Sequence, residues 1–173
     1  IKDNVTFPQP NQVLVNRLTE LNLKHSVGSW RPDRNLLTET TLAAGEAISR
    51  HRVSRGMAAG DFNGDGRPDL AVVNSNGPAE LLRNDTPDTA NRLVLRVTGR
   101  KSDRDAVGTR LFVQPIDSET RWAREVRSAS SYASQHASDV YFGLGLSPAA
   151  RVEIIWPDGN EETLGQLEAG RLY

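Results

Sequence analysis

The sequence predicts an all-β protein in which a partial, propeller-like blade packs beside an antiparallel β-sandwich or β-roll. In the second half of the chain apolar residues alternate with polar ones, which is the period of a strand with one buried face. Clusters of glycine, proline, asparagine and aspartate separate these runs, as expected for tight turns. No stretch has a convincing helical period. With 173 residues, the chain is long enough for one large or two small domains.

Composition excludes several classes of protein. The formal net charge is −1 and both signs are mixed along the chain, so there is no single-sign field for nucleic acid or an anionic membrane. The absence of cysteine excludes disulfides, thiolate metal sites and cysteine nucleophiles. No apolar run approaches the ~20 residues that a membrane-spanning helix needs. The first residues are not a secretory signal, and we therefore expect that the chain either lost one or was cut from a longer protein.

The first 54 residues carry only weak patterns. Residues 10–17 and 78–85 share a proline, an acid or amide, two apolar residues and an asparagine in the same order. A weak repeat of this kind indicates an array in which a short strand ends each unit, and its spacing suits one propeller blade with an enlarged connection. Residues 41–48 suit one or two helical turns, although Gly45 disfavours them.

Residues 61–69 form a loop in which oxygen-bearing side chains fall at positions 1, 3, 5 and 9. They are Asp61, Asn63, Asp65 and Asp69. Gly64 and Gly66 permit left-handed backbone, so the loop can fold back on itself. Three carboxylates this close repel each other unless a cation lies among them. Ca²⁺ accepts about 6–8 oxygens at irregular angles and fits this need, whereas Mg²⁺ wants stricter geometry and zinc or copper would bring histidine or cysteine.

The flanks distinguish this loop from an EF-hand. An EF-hand has a bidentate glutamate at position 12, where this chain has Val72 inside the apolar run 70–73. That run and residues 56–60 before the loop both predict strands, so the unit is strand–loop–strand. Aspartate, asparagine and glycine also favour solvated turns without any metal, and this alternative stays open. A phosphotransfer nucleophile is disfavoured because no lysine follows at a useful distance.

The remaining strands follow in order. The turn at residues 74–77 makes 70–74 and 79–83 neighbouring antiparallel strands. After the linker at 86–91, Leu93, Leu95 and Val97 alternate strictly, and an Asp-Gly hairpin joins the last two strands. Further strands are predicted at 109–113, 121–127, 140–142, 152–156 and 161–164. We therefore expect two domains, a blade fragment at 1–85 and a sandwich at 91–173.

Two known families resemble these segments. The run GDFNGDGRPDL at 60–70, followed by NGPAELLRN at 76–84, resembles an FG-GAP (VCBS) repeat, the calcium-binding blade of integrin-α-like propellers. The runs GRKSDRDAVGTR at 99–110, EVR at 125–127, SYASQ at 131–135, YFGLG at 141–145 and VEIIWPDG at 152–159 are similar to the ASPIC/UnbV domain. That domain is found in cartilage acidic protein relatives and UnbV-type bacterial proteins. The resemblance covers about residues 56–165.

The resemblance implies a ligand set for Ca²⁺. Side chains would come from Asp61, Asn63, Asp65 and Asp69, and the main-chain carbonyl of Arg67 would be a fifth ligand. Family propellers have several blades, whereas this chain has material for barely one, and we therefore expect a C-terminal fragment. The ASPIC/UnbV family supplies no established catalytic residues, so none is assigned.

The first functional hypothesis is a calcium-stabilised binding or adhesion module of an exported, extracellular or periplasmic protein. Cytosolic calcium is too scarce to fill a loose site, and extracellular modules commonly bind at ~10⁻⁴–10⁻³ M. The expected partner is a protein or a carbohydrate, with neither nucleic-acid binding nor membrane insertion. Pairing of blade strands between copies is one route to self-association.

Two other classes of function stay open. An enzyme, or an accessory protein in a biosynthetic pathway, would need a nucleophile, a base and an orienting acid. Its candidate groups are Ser130, Ser131, Tyr132, His136 and Asp139. A carbohydrate-binding sandwich would use Trp122, Trp156 or Tyr132 as a stacking platform. Both tryptophans lie in phase with apolar neighbours, which favours core positions and leaves Tyr132 as the more exposed candidate.

Overall fold

A computed structural model describes residues 9–10, 14–16, 37–39, 45–87, 89–129 and 133–173. Ser130, Ser131 and Tyr132 lie outside these residues, as do half of the predicted repeat at 10–17 and half of the predicted helical turns at 41–48. The described residues are nearly all β, which confirms the predicted fold class. The elements are β1 (Gln9–Pro10), β2 (Leu14–Asn16), β3 (Leu37–Glu39), α1 (Glu46–Ser49), β4 (His51–Arg52), β5 (Ser54–Gly60), β6 (Asp69–Asn74), β7 (Glu80–Leu82), β8 (Asn91–Arg96), β9 (Arg110–Pro115), β10 (Trp122–Glu125), β11 (Asp139–Gly145), β12 (Ala149–Ile155) and β13 (Glu161–Glu168).

The chain divides into two compact units. One comprises Ile1–Ser54 with Asn74–Pro78, and the other comprises Arg55–Val73 with Ala79–Tyr173. In the described part of the first unit β1 pairs with β4 and β2 pairs with β3, both antiparallel. The predicted domain boundaries stay a prediction, because compactness alone does not say which segments fold independently.

The predicted strand–loop–strand unit consists of β5, the acidic loop and β6. These strands and β7 form a three-stranded sheet in the order β5-β6-β7. β6 and β7 are antiparallel with Leu70 opposite Leu82, as the turn at residues 74–77 predicted. A strand follows the loop where an EF-hand would have its exit helix, so the structure agrees with the rejection of that motif.

The second half of the chain forms a sandwich. Its larger sheet has the order β10-β9-β12-β13, and β8 pairs with β11 in a separate two-stranded sheet. The alternation in the sequence matches the burial, because apolar side chains from both sheets meet in one core. Among the contributors are Leu93, Leu95, Leu111, Val113, Phe142, Leu144, Val152 and Ile154. No sheet among the described strands closes on itself, which favours the sandwich over a closed roll.

One core prediction is wrong. Trp122 is 39% exposed, whereas Trp156 is half-buried and packs against the core. Register places Trp122 opposite the buried Val113, on the inner face as expected. However, β10 is an edge strand, so its side chains have a covering neighbour on one side only. Periodicity identifies the face of a strand but not its position in the sheet.

The C-terminal residues add an unpredicted edge to β8. The Val94 N–H donates to the Arg171 carbonyl at 3.2 Å, and the Tyr173 N–H donates to the Val94 carbonyl at 3.0 Å. These bonds form a parallel bridge between Val94 and Leu172.

No helix in the described part of the chain is long and apolar enough to cross a membrane.

Candidate metal centre

The acidic loop turns on two glycines. β5 ends at Gly60 and β6 begins at Asp69, so the loop spans the interval between two strands. Gly64 and Gly66 have φ of 76° and 80°, the left-handed region that side chains with a Cβ rarely adopt. At these two positions the main-chain N–H groups turn toward the Asp61 carboxylate. The sequence predicted the left-handed backbone at both glycines.

Asp61 organises the main chain of the loop. Its Oδ1 accepts hydrogen bonds from the N–H groups of Gly64 at 2.7 Å and Asp65 at 3.1 Å. Its Oδ2 accepts another from Gly66 at 2.7 Å. Asn63 adds a second bond to the Asp65 N–H through Oδ1, at 3.2 Å. Position 1 of the loop therefore holds the backbone of positions 4 to 6.

Asp69 closes the loop from the other end. It is 2% exposed, and each of its carboxylate oxygens accepts a main-chain N–H. Oδ2 bonds to Phe62 at 3.0 Å, and Oδ1 bonds to Asn84 at 2.7 Å. The Asn84 side chain returns a bond to the Pro68 carbonyl at 3.1 Å. This buried carboxylate thus joins the start of the loop to the segment that follows β7.

Asp65 is held by Arg67. Its Oδ2 lies 2.6 Å from the Arg67 guanidinium and accepts the Asn63 amide at 2.8 Å, while Oδ1 accepts the Arg67 N–H at 2.8 Å. Desolvation raises the pKa of Asp65, but the bonds from the Arg67 N–H and the Asn63 amide, together with the Arg67 charge, outweigh it and lower the pKa below its ordinary value. The sequence assigned a role only to the main-chain carbonyl of Arg67, whereas the structure shows that its side chain also holds Asp65.

Arg92 of β8 reaches the same loop and was missed at the sequence level. Its guanidinium donates to the Asp65 carbonyl at 2.5 Å. A Cβ at Gly66 would lie 2.8 Å from Arg92 Nε, so the loop and this side chain are in close contact. The only signal in the sequence is that Arg92 is polar at the start of an alternating strand. Its partner depends on tertiary structure, which no local pattern encodes.

The outer face of β8 and β11 borders the loop. A cavity of about 310 Å³ is lined there by Asp61, Asp65, Arg92 and Val94, among others. Burial, followed by the charges of Asp139 and Asp61, raises the pKa of Tyr141. Its buried hydroxyl points toward the main chain of Asp61, whose contact lowers the pKa in part. The acidic loop thus faces a sheet of the sandwich directly.

The donor chemistry of the loop fits a hard cation, whereas its present arrangement fits one only in part. Carboxylate and amide oxygens are the ligands that Ca²⁺ prefers, and each carboxylate offers about four acceptor sites. Asp69 uses one hydrogen bond on each oxygen, which leaves it capacity for an ion. Among the described residues, however, no three acidic or histidine side chains converge as a metal-binding group. Asp65 would have to exchange Arg67 for the ion.

Two of the five residues proposed for catalysis, His136 and Asp139, lie in the described part of the chain, and both have other partners. The Nδ1 atom of His136 accepts the Ala59 N–H at 3.1 Å. Asp139 forms a two-point ion pair with Arg96, at 2.6 Å to Nε and 2.8 Å to Nη2, so its carboxylate does not orient His136 as a triad requires. The enzyme hypothesis stays a prediction, since Ser130, Ser131 and Tyr132 lie outside the described residues.

Comparisons with protein families match two consecutive segments. Residues 55–90 match the model of the FG-GAP repeat, and residues 99–173 match the model described as ASPIC and UnbV. The acidic loop falls wholly inside the first segment. A comparison with curated proteins found no match.

Proposed function

We propose that this chain, which carries an FG-GAP repeat followed by an ASPIC and UnbV domain, is a calcium-stabilised, non-catalytic recognition module of an exported protein. The observation that supports the proposal best is the organisation of the loop. Three carboxylates are held on one short segment by its own main-chain N–H groups, with Asp69 buried at its end. Such a cluster gains stability from a divalent cation, because each added positive charge reduces the repulsion among the acids.

The proposed ligands are the oxygens of this loop. Side-chain oxygens of Asp61, Asn63, Asp65 and Asp69 would hold the ion, with the main-chain carbonyl of Arg67 as the fifth ligand. When bound, Ca²⁺ supplies two positive charges and no redox chemistry. Arg67 already offsets the charge of Asp65 through its ion pair, so the gain from the ion is smaller than for three unpaired carboxylates.

A stabilising ion of this kind suits an exported protein. Extracellular modules commonly bind calcium at ~10⁻⁴–10⁻³ M, a concentration that the cytosol does not reach. At free calcium near 100 times the dissociation constant, binding adds about 2.7 kcal/mol to the free energy of unfolding. This is a large share of a total stability of roughly 5–15 kcal/mol. The rest of the molecule then serves to recognise a protein or carbohydrate partner.

Thermal melting tests the proposal. In saturating CaCl₂ we expect the midpoint to rise by about 5–10 °C over the value in EDTA, with a smaller rise in MgCl₂. Asp65→Ala should melt at the same temperature with calcium and with EDTA. Asp85→Ala is the matched control, since it removes an exposed acid outside the loop and should keep the full calcium response. Identical wild-type melts in all three conditions would reduce the loop to a solvated turn.

A further inference from the structure

A cavity of about 670 Å³ is lined by residues of the ASPIC and UnbV segment together with Thr98, which precedes it. We name it the Trp156 cavity; its lining includes Trp156, Asn160, Arg100 and Lys101. It lies within the Arg55–Val73 and Ala79–Tyr173 unit and contains no residue of the acidic loop. Small-molecule sites have volumes of about 300–1,000 Å³, so the cavity is large enough for an oligosaccharide segment.

Trp156 gives the cavity a fixed aromatic surface. The ring packs against the sandwich core, and its Nε1 donates to Glu162 Oε2 at 3.1 Å. The indole is therefore held from two sides, while enough of it stays exposed to line the cavity. A rigid, half-exposed indole offers a large apolar surface at low cost in conformational entropy. The apolar face of a pyranose ring matches such a surface.

Both walls of the cavity are built on tight turns. The Gly99 N–H donates to the Arg104 carbonyl at 3.0 Å, and a Cβ at Gly99 would clash with the Asp103 carbonyl oxygen. The opposite wall closes through the Trp156 N–H, which donates to the Asn160 carbonyl at 2.8 Å. Asp158 accepts both the main-chain and side-chain N–H groups of Asn160, at 3.0 and 2.7 Å. Preorganised walls reduce the entropy lost when a ligand binds.

The polar lining carries both donors and acceptors. Two cationic and three acidic side chains contribute: Arg100, Lys101, Asp158, Glu161 and Glu162. The side chains of Arg100, Lys101 and Glu161 form no hydrogen bond or ion pair with another residue in the described part of the chain. They are therefore available to a ligand. Because positive and negative side chains are mixed in the lining, the cavity has no strong electric field that would attract an anion or a cation. Sugar hydroxyl groups, in contrast, can bond to both the donors and the acceptors of the lining.

From the aromatic surface, the rigid walls and the balanced charges, we infer that the Trp156 cavity binds a neutral oligosaccharide. The indole face stacks on a sugar ring, while Arg100 and Lys101 donate to hydroxyl oxygens and Glu161 accepts from hydroxyl groups. This inference rests on the proposed recognition role and names its ligand class. The sequence favoured a core position for Trp156 over a stacking role, whereas the ring both packs against the core and lines the cavity. Trp122 is not involved.

Calorimetric titration of the whole chain with a panel of oligosaccharides tests the inference. The neutral probes are cello-, xylo-, manno-, laminari- and malto-oligosaccharides and chito-oligosaccharides, and oligogalacturonate is the anionic probe. We expect one neutral probe to bind one-to-one, with an affinity that changes less than about twofold between ~50 and ~200 mM NaCl. Titrations in CaCl₂ and in EDTA, below the melting temperature, separate this result from the calcium proposal.

Variants locate the site. Arg100→Ala/Lys101→Ala removes two exposed donors without other partners in the described residues, and we expect it to weaken binding by about 10-fold or more. Arg110→Ala/Arg124→Ala is the matched control, because it removes two exposed cations outside the cavity and should keep wild-type affinity. Trp156→Phe, with folding checked by its melting curve, should also weaken binding.

Three results would overturn the inference. One is the absence of binding to every neutral probe up to about 10 mM, which is the limit of a useful weak site. A second is unchanged affinity in the Arg100→Ala/Lys101→Ala variant. The third is salt-sensitive binding of oligogalacturonate alone, which would assign the cavity to an anionic ligand. A calcium-dependent melt combined with any of these would leave the loop proposal intact, and sugar binding without a calcium response would do the reverse.

Discussion

Asp69 and Asp65 have different roles in the acidic loop. Asp69 is buried and its oxygens satisfy two main-chain donors, so its contribution to the fold does not depend on a cation. Asp65 is half-buried, and its carboxylate bonds to the guanidinium of Arg67 and the side-chain amide of Asn63. A bound ion would have to replace these contacts. We therefore expect Asp69 to dominate stability in EDTA and Asp65 to dominate the calcium response.

Asp69→Ala should be strongly destabilising even in EDTA. It leaves the part-buried N–H groups of Phe62 and Asn84 without their acceptor, and the loss of each such bond costs about 1–2 kcal/mol. Urea denaturation should show a loss of about 2–4 kcal/mol. Asp85→Ala removes an exposed partner of Arg83 and should cost less than about 1 kcal/mol. Equal costs for both variants would contradict this role.

Acidification should remove the contribution of Asp65. Its folded-state pKa is lowered from 3.8, so the stabilising effect is present above that value and is lost as pH falls through the lower, folded-state pKa. The difference in unfolding free energy between wild type and Asp65→Asn, measured in EDTA, should therefore be constant near neutral pH and shrink below about pH 4. A difference that grows on acidification would contradict this assignment.

At the residue scale, the sequence was sufficient wherever the contact is local. Asp61, Asn63, Asp65 and the two glycines lie within six positions, and their spacing predicted a loop that folds back on itself. The Arg67 side chain and Arg92 could not be predicted in the same way. An arginine carries no local signal for the carbonyl or carboxylate that it contacts, particularly one 27 residues away.

At the scale of elements, the loop is built into the sandwich through β8. Arg92 contacts the Asp65 carbonyl, and the Ala137 N–H donates to the Ala59 carbonyl at the end of β5, at 2.8 Å. The sequence predicted the order and faces of the strands because alternation is a property of each strand alone. It did not predict the contribution of residues 171–173 to the edge of β8, or the exposure of Trp122, because both depend on which strands become neighbours.

Two glycine substitutions measure the contact between the loop and β8. Gly64→Ala and Gly66→Ala both force a Cβ into left-handed backbone, at about 1–2 kcal/mol each. Only Gly66→Ala also displaces Arg92, since nothing lies within 4 Å of a Cβ at Gly64. Chemical denaturation should give Gly66→Ala a further cost of roughly 1 kcal/mol. The extra cost should disappear in an Arg92→Ala background; its persistence there would mean that Arg92 is not its cause.

At the scale of the whole molecule, the acidic loop and the sandwich share one compact unit. The sequence placed a boundary between residues 85 and 91, whereas this unit runs across it, from Arg55–Val73 to Ala79–Tyr173. A change of composition along the chain marks a change of motif. It does not show whether the two motifs unfold separately, since that depends on the surface buried between them.

Hydrogen exchange of the full chain tests whether the unit unfolds as a whole. The Asn84 amide is bonded to Asp69 in the blade, and the Val126 amide is bonded to Thr109 in the sandwich. If the unit is cooperative, their opening free energies in EDTA should agree within about 1 kcal/mol. Opening of Asn84 at several kcal/mol below Val126 would favour the boundary that the sequence predicted.

Calcium binding by the acidic loop is the central claim, and titration calorimetry of the EDTA-stripped chain tests it most directly. Wild type and Asp85→Ala should each take up one Ca²⁺ with a dissociation constant near 10⁻⁴–10⁻³ M, about the range of extracellular modules. Asp65→Ala should show no saturable uptake. The account is contradicted if the wild type shows no saturable heat, or if Asp65→Ala binds calcium as the wild type does.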